Sequence, residues 1–137
     1  MDKDKLGGHP LLEISAGDGR YRVVCTAIRV GQDVTIQIQG GERPHIGAVA
    51  MAIPRPSLKD PTRLSATASV LTVIGHKEDE LARSIALHLA TELSCVAVVL
   101  AGVHLDGADE NDIARIVENS DQVVRMLVEA IRDKTSS

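Results

Sequence analysis

The chain has 137 residues, enough for one domain around one core. Hydrophobic residues make up 44% and charged residues 25%, the balance of an ordinary globular protein. A formal charge of −4 and a single aromatic, Tyr21, argue against nucleic acid as a partner, because neither a cationic footprint nor a stacking surface is available. The opening MDKDKLGGHP has no apolar targeting stretch, and no run reaches membrane-spanning length, so no membrane role is expected. Cys25 and Cys95 sit in apolar runs without CxxC spacing, which predicts buried thiols and a cytoplasmic location.

In chain order, residues 1–10 are polar and expected to be loose. Leu11 to Ala16 reads as a short strand, and Gly17-Asp18-Gly19-Arg20 as a turn. Tyr21 to Val30 is a strand rich in β-branched residues. Val34, Ile36 and Ile38 alternate with Thr35, Gln37 and Gln39, the signature of a half-buried third strand. Ile46 to Ile53 and Ala66 to Ile74 read as strands four and five, with small residues at alternate positions that invite close packing on one face. Between them, Pro54 to Leu64 holds three prolines and reads as a loop. A helix begins near His76, with Leu81, Ile85, Leu89 and Leu93 at spacings of four and Ala82, Ala86 and Ala90 beside them. Val96 to Val103 is nearly unbroken in its apolar character, as in a strand buried on both faces. A second helix from about Asp109 to Glu118 is expected to stop at Asn119-Ser120, with Ser120 capping a third helix that runs to about Asp133. Its apolar face is Val123, Leu127, Ala130 and Ile131.

The expected fold is α/β over residues 1–137 as a single domain. It has a single-layer mixed, mostly antiparallel sheet of about six strands, with two or three helices mainly on one face. Its small size and alanine-rich elements point to a homodimer.

Charge is spread unevenly. Between Gly40 and Leu64 four bases face two acids, a balance of +2, while the stretch from His104 onward has a balance of −4. A basic centre in an acidic chain suits a local anion rather than a polyanion. If strands three and four pair antiparallel, GGERPHIG lies at one end of the sheet. Strand five and the apolar strand after the first helix then deliver GHKED and AGVHLDGA to the same end. His45, His76, His104 and Asp106 would meet there, with Arg43 and Lys77 able to cradle a phosphate or carboxylate at a helix start. The loop carrying Arg55, Ser57, Lys59 and Arg63 falls at the opposite end. It reaches the first end only by folding back or by crossing a dimer interface.

Other chemistries are weaker. Three histidines with or without Asp106 could hold zinc, but no HxH or HExxH spacing is present. Ser57, Ser65 and Thr67 belong to no nucleophile elbow, and Gly40-Gly41 lacks the Gly-Lys-Ser/Thr ending of a P-loop. Glu78, Asp79 and Glu80 read as acids at the positive end of a helix dipole.

The run GGERPHIGAVAMAIPRPSLKDPTRLSATASVLTVIGHKEDELAR, followed by AGVHLDGA, resembles the small D-subunit of gallate decarboxylase and its relatives. These are the prenylated-flavin chaperones that accompany UbiD-type decarboxylases, also compared with proteasome-assembly-chaperone folds. The resemblance spans roughly residues 34–108. It implies a helper protein that binds prenylated flavin mononucleotide (prenylated FMN) or FMN, or stabilises the decarboxylase large subunit, without independent activity; the alternatives are a small independent enzyme using His45, His76 and His104, or an assembly module with no small-molecule site. The flavin phosphate would draw on Arg43, Arg55, Lys59, Arg63 and Lys77. His45, Ser57, His76, His104 and Asp106 complete the implied binding set.

Overall fold

The structure is a computed structural model and describes residues 11–73 and 78–136. Six strands form one sheet: β1 (Leu11–Ala16), β2 (Val23–Val30), β3 (Asp33–Gly41), β4 (Ala48–Pro56), β5 (Leu64–Thr72) and β6 (Ala97–His104). Two helices follow the fourth connection onward, α1 (Asp79–Leu93) before β6 and α2 (Glu110–Ser136) after it. The spatial order is β1-β2-β3-β6-β4-β5. All neighbours are antiparallel except β3 and β6, which run parallel. This is the mixed, mostly antiparallel α/β fold expected. The looseness expected of residues 1–10 and the helix start at His76 fall outside the described residues; α1 is described from Asp79.

The expected pairing of strands three and four is corrected. β6 lies between them, pairing Gly41 with His104 on one side and Ala48 with Ala101 on the other. The reason is burial. The VAVVLA run has no polar face to give to water, so it takes the centre of the sheet. Asp33 fixes its entry: its carboxylate accepts the Val96 N–H at 2.9 Å, and Val34 N–H donates to the Val96 carbonyl at 3.1 Å.

A second correction concerns Pro54 to Leu64. β4 continues through Pro54 to Pro56, and β5 begins at Leu64. The prolines are tolerated because β4 pairs with β6 only as far as Ala52. Beyond it, one flank of β4 has no strand partner among the described residues that would need an N–H. The third correction is the helix break. α2 is continuous over 27 residues. Ser120 is buried within it, and its hydroxyl donates to the Ile116 carbonyl at 2.7 Å instead of capping a new helix.

Both helices cover one face. α1 packs on β4, β5 and β6; α2 packs on β1, β2 and α1. The small residues expected to permit close packing do so: Ala48, Ala50, Ala52 and Ala97 of the sheet and Ala82, Ala86 and Ala90 of α1 are all fully buried. Val23, Ile36, Ile38, Val123 and Leu127 fill the wider part of the same core. Tyr21 pins α2 to the β1–β2 turn. Its hydroxyl donates to Asp112 at 2.6 Å, its carbonyl accepts from Asn119 at 2.7 Å, and the Arg115 guanidinium lies 4.6 Å from its ring centre. Among the described residues no helix covers the opposite face of the sheet, and Ile28, Met51, Ile53 and Leu71 are exposed on it.

The β3–β4 connection must cross over the end of β6, and Gly102 makes room for it. A Cβ on Gly102 would sit 1.4 Å from the His45 carbonyl oxygen. Gly102→Ala should therefore lower stability by about 3 kcal/mol or more, read by urea unfolding; a loss below about 1 kcal/mol would contradict this packing. The core thiols give a second check. Burial pushes the Cys25 thiol up to about 12 and raises Cys95 as well. At pH 8, alkylation by iodoacetamide should be slow in native protein and rapid in urea.

Candidate functional site

Because β3 and β6 run parallel and β4 starts beside the end of β6, three loops meet at one end of the sheet. The β3–β4 loop brings Glu42, Arg43 and His45. The chain after β6 brings Asp106, and β6 itself ends at His104. The β1–β2 turn adds Arg20, and the residue before α1 adds Glu78. Of the residues proposed from the sequence, Arg43, His45, His104 and Asp106 are thus brought together. Arg55, Ser57, Lys59 and Arg63 lie at the far end, as their strand direction implied. His76 and Lys77 lie outside the described residues.

Asp106 is the centre of the exposed half of this cluster. Its carboxylate accepts from Arg43, and from His104 Nε2 at 2.9 Å. Its carbonyl accepts from Arg20 at 3.0 Å, and its N–H donates to Glu42 at 3.1 Å. Arg20 also pairs with Glu42 at 3.3 Å. The His104 hydrogen bond first, then that of Arg43, holds the Asp106 carboxyl below its ordinary value.

His45 and Glu78 form the sheltered half. His45 Nδ1 lies 3.1 Å from the Arg43 carbonyl, which can only accept, so Nδ1 carries its hydrogen. Nε2 lies 2.7 Å from the Glu78 carboxylate, an ion-pair contact whenever the ring is protonated. The Glu78 side chain is only 10% exposed. Gly47 is what allows this approach, since a Cβ there would lie 2.4 Å from a Glu78 carboxylate oxygen. The His45 and His104 rings meet edge to face, with centres 6.1 Å apart. Among the described residues no group of three or more His, Cys, Asp or Glu side chains is placed to hold a metal ion.

Beside the cluster, a cleft of about 610 Å³ opens between the first turns of α1 and α2 and the end of β6. Leu81, Val103, Leu105, Ile113, Ile116 and Val117 form its apolar walls, while Glu78, Glu80 and Asp121 supply acid and His104 links it to the cluster. Tyr21 is not among the lining residues. Sequence reasoning missed Arg20, Glu42 and Glu78 as site residues. Glu42 lay inside the quoted GGERPHIG, but Glu78 reads as one acid in a helix-start run until the fold sets His45 against it. The cleft itself had no sequence signal, because its walls come from three separate elements, α1, the end of β6 and α2.

At the far end, the hairpin formed by β4 and β5 is closely held. Arg55 Nε donates to Thr67 at 2.6 Å. Ser57 Oγ accepts from the N–H groups of Lys59 and Asp60 at 3.2 and 3.4 Å, and Ser57 N–H donates to the Arg63 carbonyl at 2.8 Å. Ser57 is thereby a turn-forming residue.

The depressed Asp106 carboxyl carries a pH signature. A folded value below the unfolded 3.8 means that its contribution to stability is present above pH 3.8 and is lost as pH falls through the folded value. NMR titration of the Asp106 carboxyl should give a midpoint below 3.8, moving up toward it in His104→Ala and by a smaller step in Arg43→Ala. An unmoved midpoint in both variants would contradict the hydrogen-bond assignment.

Comparison with known proteins adds kinship to this geometry. A search of curated proteins gave no match. A chain in a structure described as a crystal structure of a novel chaperone complex for yeast 20S proteasome assembly has a similar fold. Its TM-score is 0.53 at 12% identity, over 90% of this chain and 96% of that one. That likeness is one of fold. The family described as the prenylated flavin chaperone LpdD-like domain is matched over residues 17–132, all of the sheet from β2 onward and nearly all of α2. The chain belongs to the prenylated flavin chaperone LpdD-like family.

Proposed function

We propose that this chain is an accessory protein that holds prenylated FMN for a UbiD-type decarboxylase large subunit. The observation that carries the reading is the apolar cleft opening beside the Arg20–Arg43–His104–Asp106 network. A volume of about 610 Å³ falls within the roughly 300–1,000 Å³ of small-molecule sites.

The residues present fit the ligand in one orientation. Aliphatic walls from Leu81, Val103, Leu105, Ile113 and Val117 suit a flat ring system with a hydrocarbon addition, in place of aromatic stacking. Glu80 and Asp121 would repel a phosphate from the cleft, so the phosphate turns to the network, where Arg20 and Arg43 supply guanidinium donors. The flavin supplies the redox and covalent chemistry that the client uses. This chain's residues bind it, orient it and keep water from its faces. Arg55, Lys59 and Arg63 stand too far along the sheet to join that site within one copy.

The uncovered sheet face supports a homodimer. Val49 pairs with Leu71 and Leu100, and Met51 with Val98, which makes a continuous apolar surface across β5, β4 and β6. Such a surface is ordinarily buried against a partner. Among the described residues no helix is long and apolar enough to cross a membrane. The two free, buried cysteines are in keeping with the cytoplasm.

Calorimetric titration with FMN and prenylated FMN tests the site. Saturable binding is expected, weakened about tenfold or more by Arg43→Ala, which removes a charged donor, and by Ser84→Trp, which fills the cleft. Binding unchanged in both variants would refute this placement. No binding of either flavin, with tight co-purification of a decarboxylase large subunit, would leave an assembly module instead.

A further inference from the structure

The β4–β5 hairpin continues beyond the last β6 pairing at Ala52 as an arm from Ile53 to Thr67. At its tip Leu58 is 88% exposed. A leucine so displayed costs nothing special on a floppy loop, but this loop is stiff. Thr62 N–H and Oγ donate to the Asp60 carboxylate at 3.1 and 2.6 Å, and Arg63 N–H donates to the Asp60 carbonyl at 2.9 Å. A rigid loop presenting an apolar side chain has already lost the entropy that docking would otherwise cost. Around Leu58 stand Arg55, Lys59 and Arg63 against one acid, Asp60, a balance of +2.

The cleft at the other end has the complementary character. Its walls are apolar, and Glu80 and Asp121 are exposed acids on its lining. The arm cannot reach the cleft of its own chain. It leaves where β6 begins, whereas the cleft lies where β6 ends, and the eight residues of β6 span roughly 23 Å.

We propose that the arm of one copy docks in the cleft of a second copy, with Leu58 among Leu81, Ile113 and Val117, and Lys59 and Arg63 against Glu80 and Asp121. The proposal rests on the homodimer reading above. In a two-fold pair with strands antiparallel, each arm points to the cleft end of the other sheet and passes round that end to the helix-covered side, where the cleft lies. Both contacts form at once and the assembly closes. The arm and a flavin ring then exclude one another from the cleft, so each empty cleft is stoppered by the sister chain.

Full-length chains carrying Leu58→Cys are mixed with chains carrying Ile113→Cys under mild oxidation, with Arg125→Cys chains as the control. Cys25 and Cys95 are buried and do not compete. A disulfide between the Leu58→Cys and Ile113→Cys chains, well above the control, is expected. In sedimentation, Lys59→Glu with Arg63→Glu should weaken the dimer about tenfold. Mixing that variant with chains carrying Glu80→Lys and Asp121→Lys should restore it. A dimer that persists without the disulfide, or is indifferent to the charge reversal, overturns the arm contact and leaves the homodimer standing. A monomer at all concentrations overturns both.

Discussion

The contact between the His45 carbonyl and Gly102 governs the rest of this molecule. An apolar strand with no polar face must lie in the middle of the sheet, so β6 enters between β3 and β4. The connection from β3 to β4 then has to pass over the end of β6. It does so at the one residue of that end without a side chain. Place any Cβ there and the crossing lifts, taking His45 away from Glu78 and Arg43 away from Asp106.

The crossing also explains why polar chemistry gathers at that end. Parallel β3 and β6 finish together, and β4 starts beside them, so three chain reversals share one edge. Backbone groups at such an edge lack sheet partners and are satisfied by side chains instead. Glu42 and Asp106 accept, Arg20 and Arg43 donate, and His45 and His104 stand between the two halves. The exposed ion pairs contribute little stability individually in high dielectric. Their value lies in fixed geometry next to the cleft, where Arg20 and Arg43 are held in set orientations by Asp106.

The two ends of the sheet differ in kind. One holds an acidic, apolar hollow beside arginines that are already engaged. The other holds a stiff cationic hairpin with a leucine at its tip. The two lie apart by the length of a strand, which is why the contact proposed between them joins two copies and not one. Between those ends, nothing among the described residues covers the apolar sheet face on which the proposed homodimer rests.

Much of this was legible from residue pattern alone. Alternation in Val34 to Gln39 announced β3, the unbroken run after Cys95 announced an apolar strand, though Val98 and Leu100 on its second face are half-buried instead of buried, and alanines at alternate positions announced close packing on one face. The four residues Arg43, His45, His104 and Asp106 were expected at one end because strand direction is inherited from turn to turn, and local pattern carries that information. Three things belonged to the tertiary structure. Strand order is a competition for burial among distant segments, so the place of β6 between β3 and β4 had no local sign. Ser120 resembled a cap, but packing of α2 on β1 and β2 outweighed that local preference and its hydroxyl turned back to Ile116. Glu78 looked like one helix-start acid among three; only the crossing over Gly102 set a histidine against it, and a pairing across thirty-three positions is written in space, not in sequence.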